Sequence, residues 1–175
     1  MIGKGKNSSI ISSKNGDRGF TQTLKIKSIL KTDSSVNFLG EIDELSSFIG
    51  VAHSFSYNEL TKKILVEIQQ NLSALMALVA GSESPSFGKE QIEWLDITNE
   101  DLSRQIKKPG QFIFNFHKSS SAFINVARAV TRRVERSAVH LAQNNALARS
   151  DIALSYLNRL STLLFSLMIF EEQEK

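Results

Sequence analysis

The chain has no cysteine, which excludes a disulfide framework, a thiolate metal site and a cysteine nucleophile, and fits a reducing compartment. Only two prolines and nine glycines occur, and six of the glycines fall before position 51. The rest of the chain has few breakers, which favours long helices over many short strands. No apolar run approaches the length that crosses a bilayer, and residues 1–13 lack a signal peptide's apolar core. The expectation is a cytoplasmic protein with no membrane partner. His53, His117 and His140 have no partner at metal-ligand spacing, and no Glu-x-x-His pair occurs, which argues against a di-iron bundle.

The excess of positive charge is small, at +3 with a pI of about 9.2. Where the arginines sit says more than their total. With 41% hydrophobic and 22% charged residues over 175 positions, the composition is that of one globular domain with a sizeable core.

Residues 1–36 are polar, and read as an extended or loop-like arm ordered by what it touches. Residues 37–175 read as a helical bundle. Phe38, Ile42, Leu45, Ile49 and Ala52 recur at three- and four-residue spacing, the mark of one buried helix face. Leu60, Ile64, Ile68, Leu72, Leu75, Met76 and Val79 repeat it and stop near Gly81. Ile92, Leu95, Leu102 and Ile106 predict a third helix, ended by Lys107-Lys108-Pro109-Gly110.

Phe112, Phe114 and Phe116 alternate, as in a short strand or an irregular approach to the next helix. A fourth helix is expected from about Ser119 to Asn144, with Ser119, Ser120 and Ser121 as candidate N-caps. A fifth begins near Arg149 or Ser150 and carries Ala153, Tyr156, Leu157, Leu160, Leu163, Leu164 and Leu167. The fold class is all-α, a five-helix bundle with an N-terminal arm, a single domain overall.

A projection of the fourth helix at about 100° per residue gathers Phe123, Val126, Val130, Val134 and Leu141 on one side. Arg128, Arg132 and Glu135 fall on the opposite side, flanked by Arg133 and Arg136. Guanidinium groups suit phosphate oxygens because they offer a fixed fork of donors and keep their charge. Glu135 could orient Arg132 or reach a metal or a ribose hydroxyl. A solvated face with local ion pairs is the plainer reading. On the fifth helix Ser155, Asn158 and Thr162 lie opposite the leucines, so two polar stripes could line one cleft. In the arm, Lys14-Asn15-Gly16-Asp17-Arg18-Gly19-Phe20-Thr21 sets glycines around an acid, a turn that lets backbone amides approach a ligand. It is neither a P-loop nor a dinucleotide fingerprint.

Taken in order, that arm motif, Gly40-Glu41-Ile42-Asp43-Glu44-Leu45, Phe112-Ile113, Val126-Ala127-Arg128 through Arg136, and Leu157-Asn158-Arg159-Leu160-Ser161 resemble the PduO-type ATP:cob(I)alamin adenosyltransferases. The stretches span residues 13 to about 168. The resemblance implies a homotrimer of five-helix bundles with ATP, magnesium and cobalamin bound between adjacent subunits. It assigns ATP to Ser13, Lys14, Asn15, Gly16, Asp17, Thr21, Lys31, Arg132, Arg133, Glu135, Arg136 and Asn158, with magnesium carried mainly by the phosphates. It pairs Asp43 with Arg128 across the interface and sets Phe112 under the corrin, where it displaces the lower cobalt ligand. With Arg132, these make up the implied catalytic set. A reductase and a B12-dependent acceptor enzyme are the partners such chemistry calls for.

Several positions depart from the family pattern. Ser13 stands for threonine, Lys25-Ile26 for a glycine-containing turn, Ser35 for arginine, Asn125 for histidine and Thr162 for aspartate. Asn115-Phe116-His117 replaces Pro-Gly-Gly in the loop that the resemblance sets against the corrin. That change motivates an alternative, a non-catalytic carrier or sensor of ATP or cobalamin. Nucleic-acid binding through the basic helix lacks any reading motif and is not expected.

Overall fold

A computed structural model describes residues 16–82, 86–107, 110 and 115–173. Ser13, Lys14, Asn15 and the Phe112-Ile113 pair lie outside the described residues.

The first helix, α1 (Ser34–Phe55), starts at Asp33, whose Oδ1 accepts from the Ser35 amide at 2.8 Å and from the Ser35 hydroxyl at 2.6 Å. A carboxylate there serves one of the amides that a helix start leaves without a partner. The Ser35 hydroxyl first, and then its amide, hold the Asp33 carboxyl below its usual range. The five periodic residues from Phe38 to Ala52 are the buried ones. The second helix, α2 (Glu59–Ala80), is capped by Asn58 and ends on Gly81, whose φ of 95° suits a residue without Cβ. Of the expected face Ile64, Ile68, Leu72 and Leu75 are buried, joined by Leu65 and Leu78, while Met76 and Val79 are only partly buried and Leu60, in the first turn, is 41% exposed.

The third helix, α3 (Lys89–Gln105), buries only Leu95 and Leu102, and Ile106 caps it where the sequence predicts its end. Residues 115–118, which lead into the fourth helix, form no strand. The fourth and fifth helices, α4 (Ser119–Gln143) and α5 (Ser150–Gln173), turn about Asn144 and Asn145, the latter in the left-handed region at φ 52°. All the leucines expected in the core of α5, with Ala153 and Tyr156, are buried. This helix is long and apolar enough to cross a membrane, contrary to the sequence reading, but two-thirds of its apolar window is buried within the bundle. Its apolarity is that of a core helix.

Two expectations for α4 change. Ser119, Ser120 and Ser121 are not caps: Lys118 occupies that position, and Ser120 and Ser121 are buried inside the first turn. Their hydroxyls donate to Glu171 and Glu172 at the end of α5. The buried face is also rotated, by about 70° on a wheel of 100° per residue. It runs through Ser120, Ile124, Ala127, Thr131, Val134, Ala138 and Leu141, spaced four and three apart; of the expected residues Val130, Val134 and Leu141 are buried, whereas Phe123 is only partly buried and Val126 is 37% exposed. Small side chains make most of this seam, and they let α4 pack closely against both α1 and α5. Thr131 tolerates burial by donating to the Ala127 carbonyl at 2.8 Å.

Outside this central trio, α2 packs on α1 and α3 packs on α5. The arm carries more order than its composition implies. The strands β1 (Phe20–Thr21) and β2 (Ile29–Leu30) pair antiparallel, Phe20 opposite Leu30.

Polar groups are buried in the core too, Asn71 and Tyr156 among them. Tyr156 is fully buried with its ring edge-on to Phe87 at 5.0 Å, and the Asn71 side chain approaches its hydroxyl without reaching hydrogen-bond geometry. Burial drives its phenol far above the usual value. Deleting an unpartnered hydroxyl removes a desolvation cost without breaking a bond. Tyr156→Phe is therefore expected to hold the denaturant midpoint within about 1 kcal/mol of the parent, or to raise it. The unfolded phenol ionises near pH 10 while the folded one stays neutral, so stability falls above about pH 10. That alkaline loss should be smaller in the phenylalanine variant. A drop of several kcal/mol at neutral pH would mean that the hydroxyl has a partner.

Candidate active site

The α4 arginines each have a defined contact. Arg128 Nε donates to Asn125 Oδ1 at 3.0 Å, one turn earlier on the same helix. Arg132 pairs with Glu135 at 3.1 Å; the arginine side chain is 51% exposed and the glutamate 20%. Arg133 pairs with Glu44 of α1, and Arg136 donates to the Arg132 carbonyl at 3.0 Å. The corrected phase puts Glu135 and Arg128 at the edge of the buried face, and Arg132 and Arg136 out in water. Glu135 thus orients Arg132 without removing it from solvent, leaving guanidinium donors for an anion.

Arg133 and Arg136 also line a cleft of about 570 Å³ between α4 and α1, with Asn37, Gly40, Glu41 and Glu44 opposite. At Gly40 a Cβ would meet nothing within 4 Å, so the wall is open there. Glu41 turns one carboxylate oxygen, Oε2, into a position buried from water and without a partner among the described residues. Glu41 and Glu44 stand within the Gly40–Leu45 motif, but the sequence alone gives neither a role. Their signal was acidic residues one turn apart facing a basic helix.

In the arm, the hairpin brings Gly16, Thr21 and Lys31 into one small unit. Gly19 donates to the Gly16 carbonyl at 3.2 Å, and the Lys31 amide donates to the Gly19 carbonyl at 2.9 Å. The Lys31 side chain lies over Gly16, where a Cβ would stand 2.9 Å from Nζ. Asp17 is exposed at the same turn. Lys25 passes across Gly81, so the arm leans on the end of α2. Among the described residues no hydrogen bond or ion pair joins this hairpin to α4 within one chain.

Asn158 is exposed on α5. Ser120 meets Glu171 in the antiparallel α4–α5 pair, so counting thirteen residues along each helix sets Asn158 level with Arg133. Arg159, beside it in the same motif, is a structural clamp: its Nε donates to both carboxylate oxygens of Asp96 on α3 at 2.9 Å. Asp43 is exposed on α1, and within this chain the structure does not bring it to Arg128. His117, Ser120 and Ser121 gather against Glu171 and Glu172 at the opposite end of the bundle, a cluster that sequence reasoning missed. Among the described residues no group of three or more His, Asp or Glu is arranged to hold a metal.

Residues 11–171 match the family model described as cobalamin adenosyltransferase. The chain is 31% identical to a corrinoid adenosyltransferase of Citrobacter freundii over 93% of this chain and 94% of that one. It is 30% identical to that of Bacillus subtilis, covering 87% and 81% respectively. Among solved structures it is similar to a variant PduO-type ATP:corrinoid adenosyltransferase from Lactobacillus reuteri complexed with cobalamin and ATP. The TM-score is 0.82 at 29% identity, with 91% of this chain and 92% of that one covered. A helix of ordered arginines in a five-helix bundle, matched over nearly the whole length, leaves one conclusion: the chain belongs to the cobalamin adenosyltransferase family.

Proposed function

We propose that the α4 arginines and the N-terminal arm hold ATP by its phosphates while cob(I)alamin attacks C5′. The chain transfers the 5′-deoxyadenosyl group of ATP to cobalt, giving adenosylcobalamin and triphosphate. A cobalt–carbon bond forms, the C5′–oxygen bond breaks, and the electron pair leaves with triphosphate. Cob(I)alamin is itself the nucleophile, so the protein supplies position and charge rather than a base. The observation that carries this reading is Arg132, held by Glu135 yet open to water, with Arg136 one turn on.

In this reading Arg132 and Arg136 neutralise the leaving triphosphate, and Asn158, level with them on α5, adds a polar contact. Arg133 joins them by leaving Glu44. Ser13, Lys14, Asn15, Gly16, Asp17, Thr21 and Lys31 supply the arm's share, and Lys31 over Gly16 is suited to a phosphate. Magnesium rides mainly on the phosphates, and Glu135 is the protein carboxylate available to it. Phe112 stands below the corrin.

Three copies complete the site. Leu24 is 70% exposed on the arm, and Phe20, Ile26 and Leu30 are exposed around it. Such a patch on a short hairpin gains stability when a neighbouring subunit covers it. Asp43 meets the neighbour's Arg128 in the same interface.

Purified protein with ATP, magnesium and chemically reduced cobalamin is expected to develop the absorbance spectrum of adenosylcobalamin; no change beside a working control would overturn the assignment. Arg132→Ala removes charge-assisted bonds worth about 1.5–3 kcal/mol, which is on the order of 10- to 100-fold in ATP affinity. Calorimetry should show that loss with an unchanged helical circular-dichroism spectrum, and an unaltered Kd would count against the site. Asp43→Ala should shift the sedimentation equilibrium from trimer towards monomer; a trimer of unchanged strength would place the Asp43–Arg128 pair elsewhere.

A further inference from the structure

The structure attaches the arm hairpin to the bundle at its base and again at its tip. At the base, β2 leads directly into α1. There the Asp33 amide donates to the Leu30 carbonyl at 3.0 Å, and the Asn37 side-chain amide donates to the Thr32 carbonyl at 3.2 Å. At the tip, the loop between the strands is closed by the Thr23 amide on the Ile26 carbonyl at 2.9 Å. The Ile26 amide donates in turn to the Thr23 hydroxyl at 3.1 Å. Lys25 lies within that closure. Its side chain crosses Gly81, where a Cβ would stand 2.5 Å from both Cγ and Cδ. The residue as a whole is exposed, so its methylene stem packs on the glycine while the ammonium stays in water.

Gly81 answers two demands at once. Its φ of 95° lets the Gly81 amide donate to the Leu78 carbonyl at 3.1 Å and the Ser82 amide to the Ala77 carbonyl at 2.8 Å. Its missing side chain leaves the space that Lys25 fills. The last turn of α2 contains no basic residue, so Lys25 brings to that C-terminal end the positive charge its dipole favours. Shape and charge both hold it there. A hairpin fixed only at its base swings about that point, and a second attachment stops the swing. We infer that Lys25 is a positioning residue for ATP: its stem pins the hairpin tip to the end of α2, so that Gly16, Thr21 and Lys31 meet the phosphates in a unit already ordered. This rests on the proposed part of the arm in ATP binding, and adds the residue that keeps the arm in place.

The test uses the full chain with Lys25→Ala, Lys25→Arg, Gly81→Ala and the Lys25→Ala/Gly81→Ala pair. Hydrogen exchange is measured first, without ligand. The Lys31 amide, bonded to the Gly19 carbonyl at 2.9 Å, should exchange faster in Lys25→Ala while amides in the middle of α4 keep the parent rate. In steady-state assays with chemically reduced cobalamin, the KM for ATP should rise about fivefold in that variant, with kcat and the cobalamin KM unchanged. Lys25→Arg, which keeps a methylene stem and the charge, should restore both readings. Because Lys25 and Gly81 form two sides of one contact, the double variant should bind ATP no more weakly than the poorer of the single ones. A fall in kcat at saturating ATP, no rescue by arginine, or losses that multiply in the double variant would overturn the inference. Exchange is read without ATP, so the two ideas fail separately. Unchanged Lys31 exchange overturns the pin alone; faster exchange with an unaltered ATP KM overturns the arm's part in the ATP site, and the role of Lys25 with it.

Discussion

Guanidinium groups do not give up their charge, and burying one without a partner costs several kcal/mol, so a helix carrying four of them cannot be buried all round. Yet α4 is the central helix of this bundle, packed on α1 from one side and α5 from the other. The two demands are reconciled by a narrow seam. Ser120, Ala127, Thr131 and Ala138 are small enough for both neighbours to come close, and the arc that remains is left to Arg128, Arg132, Arg133 and Arg136. Each arginine is steadied by a contact on its own helix or on α1, and none is taken wholly from water. The exposure of the arginines that the proposed polyphosphate site uses is therefore a consequence of how the core is packed.

The alternating helix directions then divide the molecule lengthwise. The arm hairpin, Gly81 and the start of α1 lie at one end, and the cluster about Glu171 and Glu172 lies at the other. The arginines stand between. Such a layout accounts for why a single chain holds the proposed site in pieces. The hairpin leans on α2 rather than on α4, and its apolar residues face water in the single chain.

Much of this was legible in the sequence. The buried positions of α1 and α5 follow from spacing alone, because large side chains mark them. The α4 phase was misread for the converse reason: its seam is built of alanine, serine and threonine, while Val126 and Phe123, which dominate a hydrophobic projection, sit at its margin. Ser120 and Ser121 look like caps because serine before a helix usually is one. Here their partners are carboxylates more than fifty residues later, which local chemistry could not reveal. The arginine set and Glu135 were visible as a stripe, and Lys31 was reached only through family resemblance, since its approach to Gly16 depends on the hairpin register.

The central claim is that Arg132 and its neighbours hold the leaving triphosphate rather than the nucleoside. Competition against ATP binding by inorganic triphosphate and by adenosine, in the parent and in Arg132→Ala, separates the two. The expected result is a triphosphate inhibition constant that rises in step with the ATP Kd while that of adenosine stays fixed. Equal weakening of both competitors, or a triphosphate constant indifferent to the substitution, would contradict it.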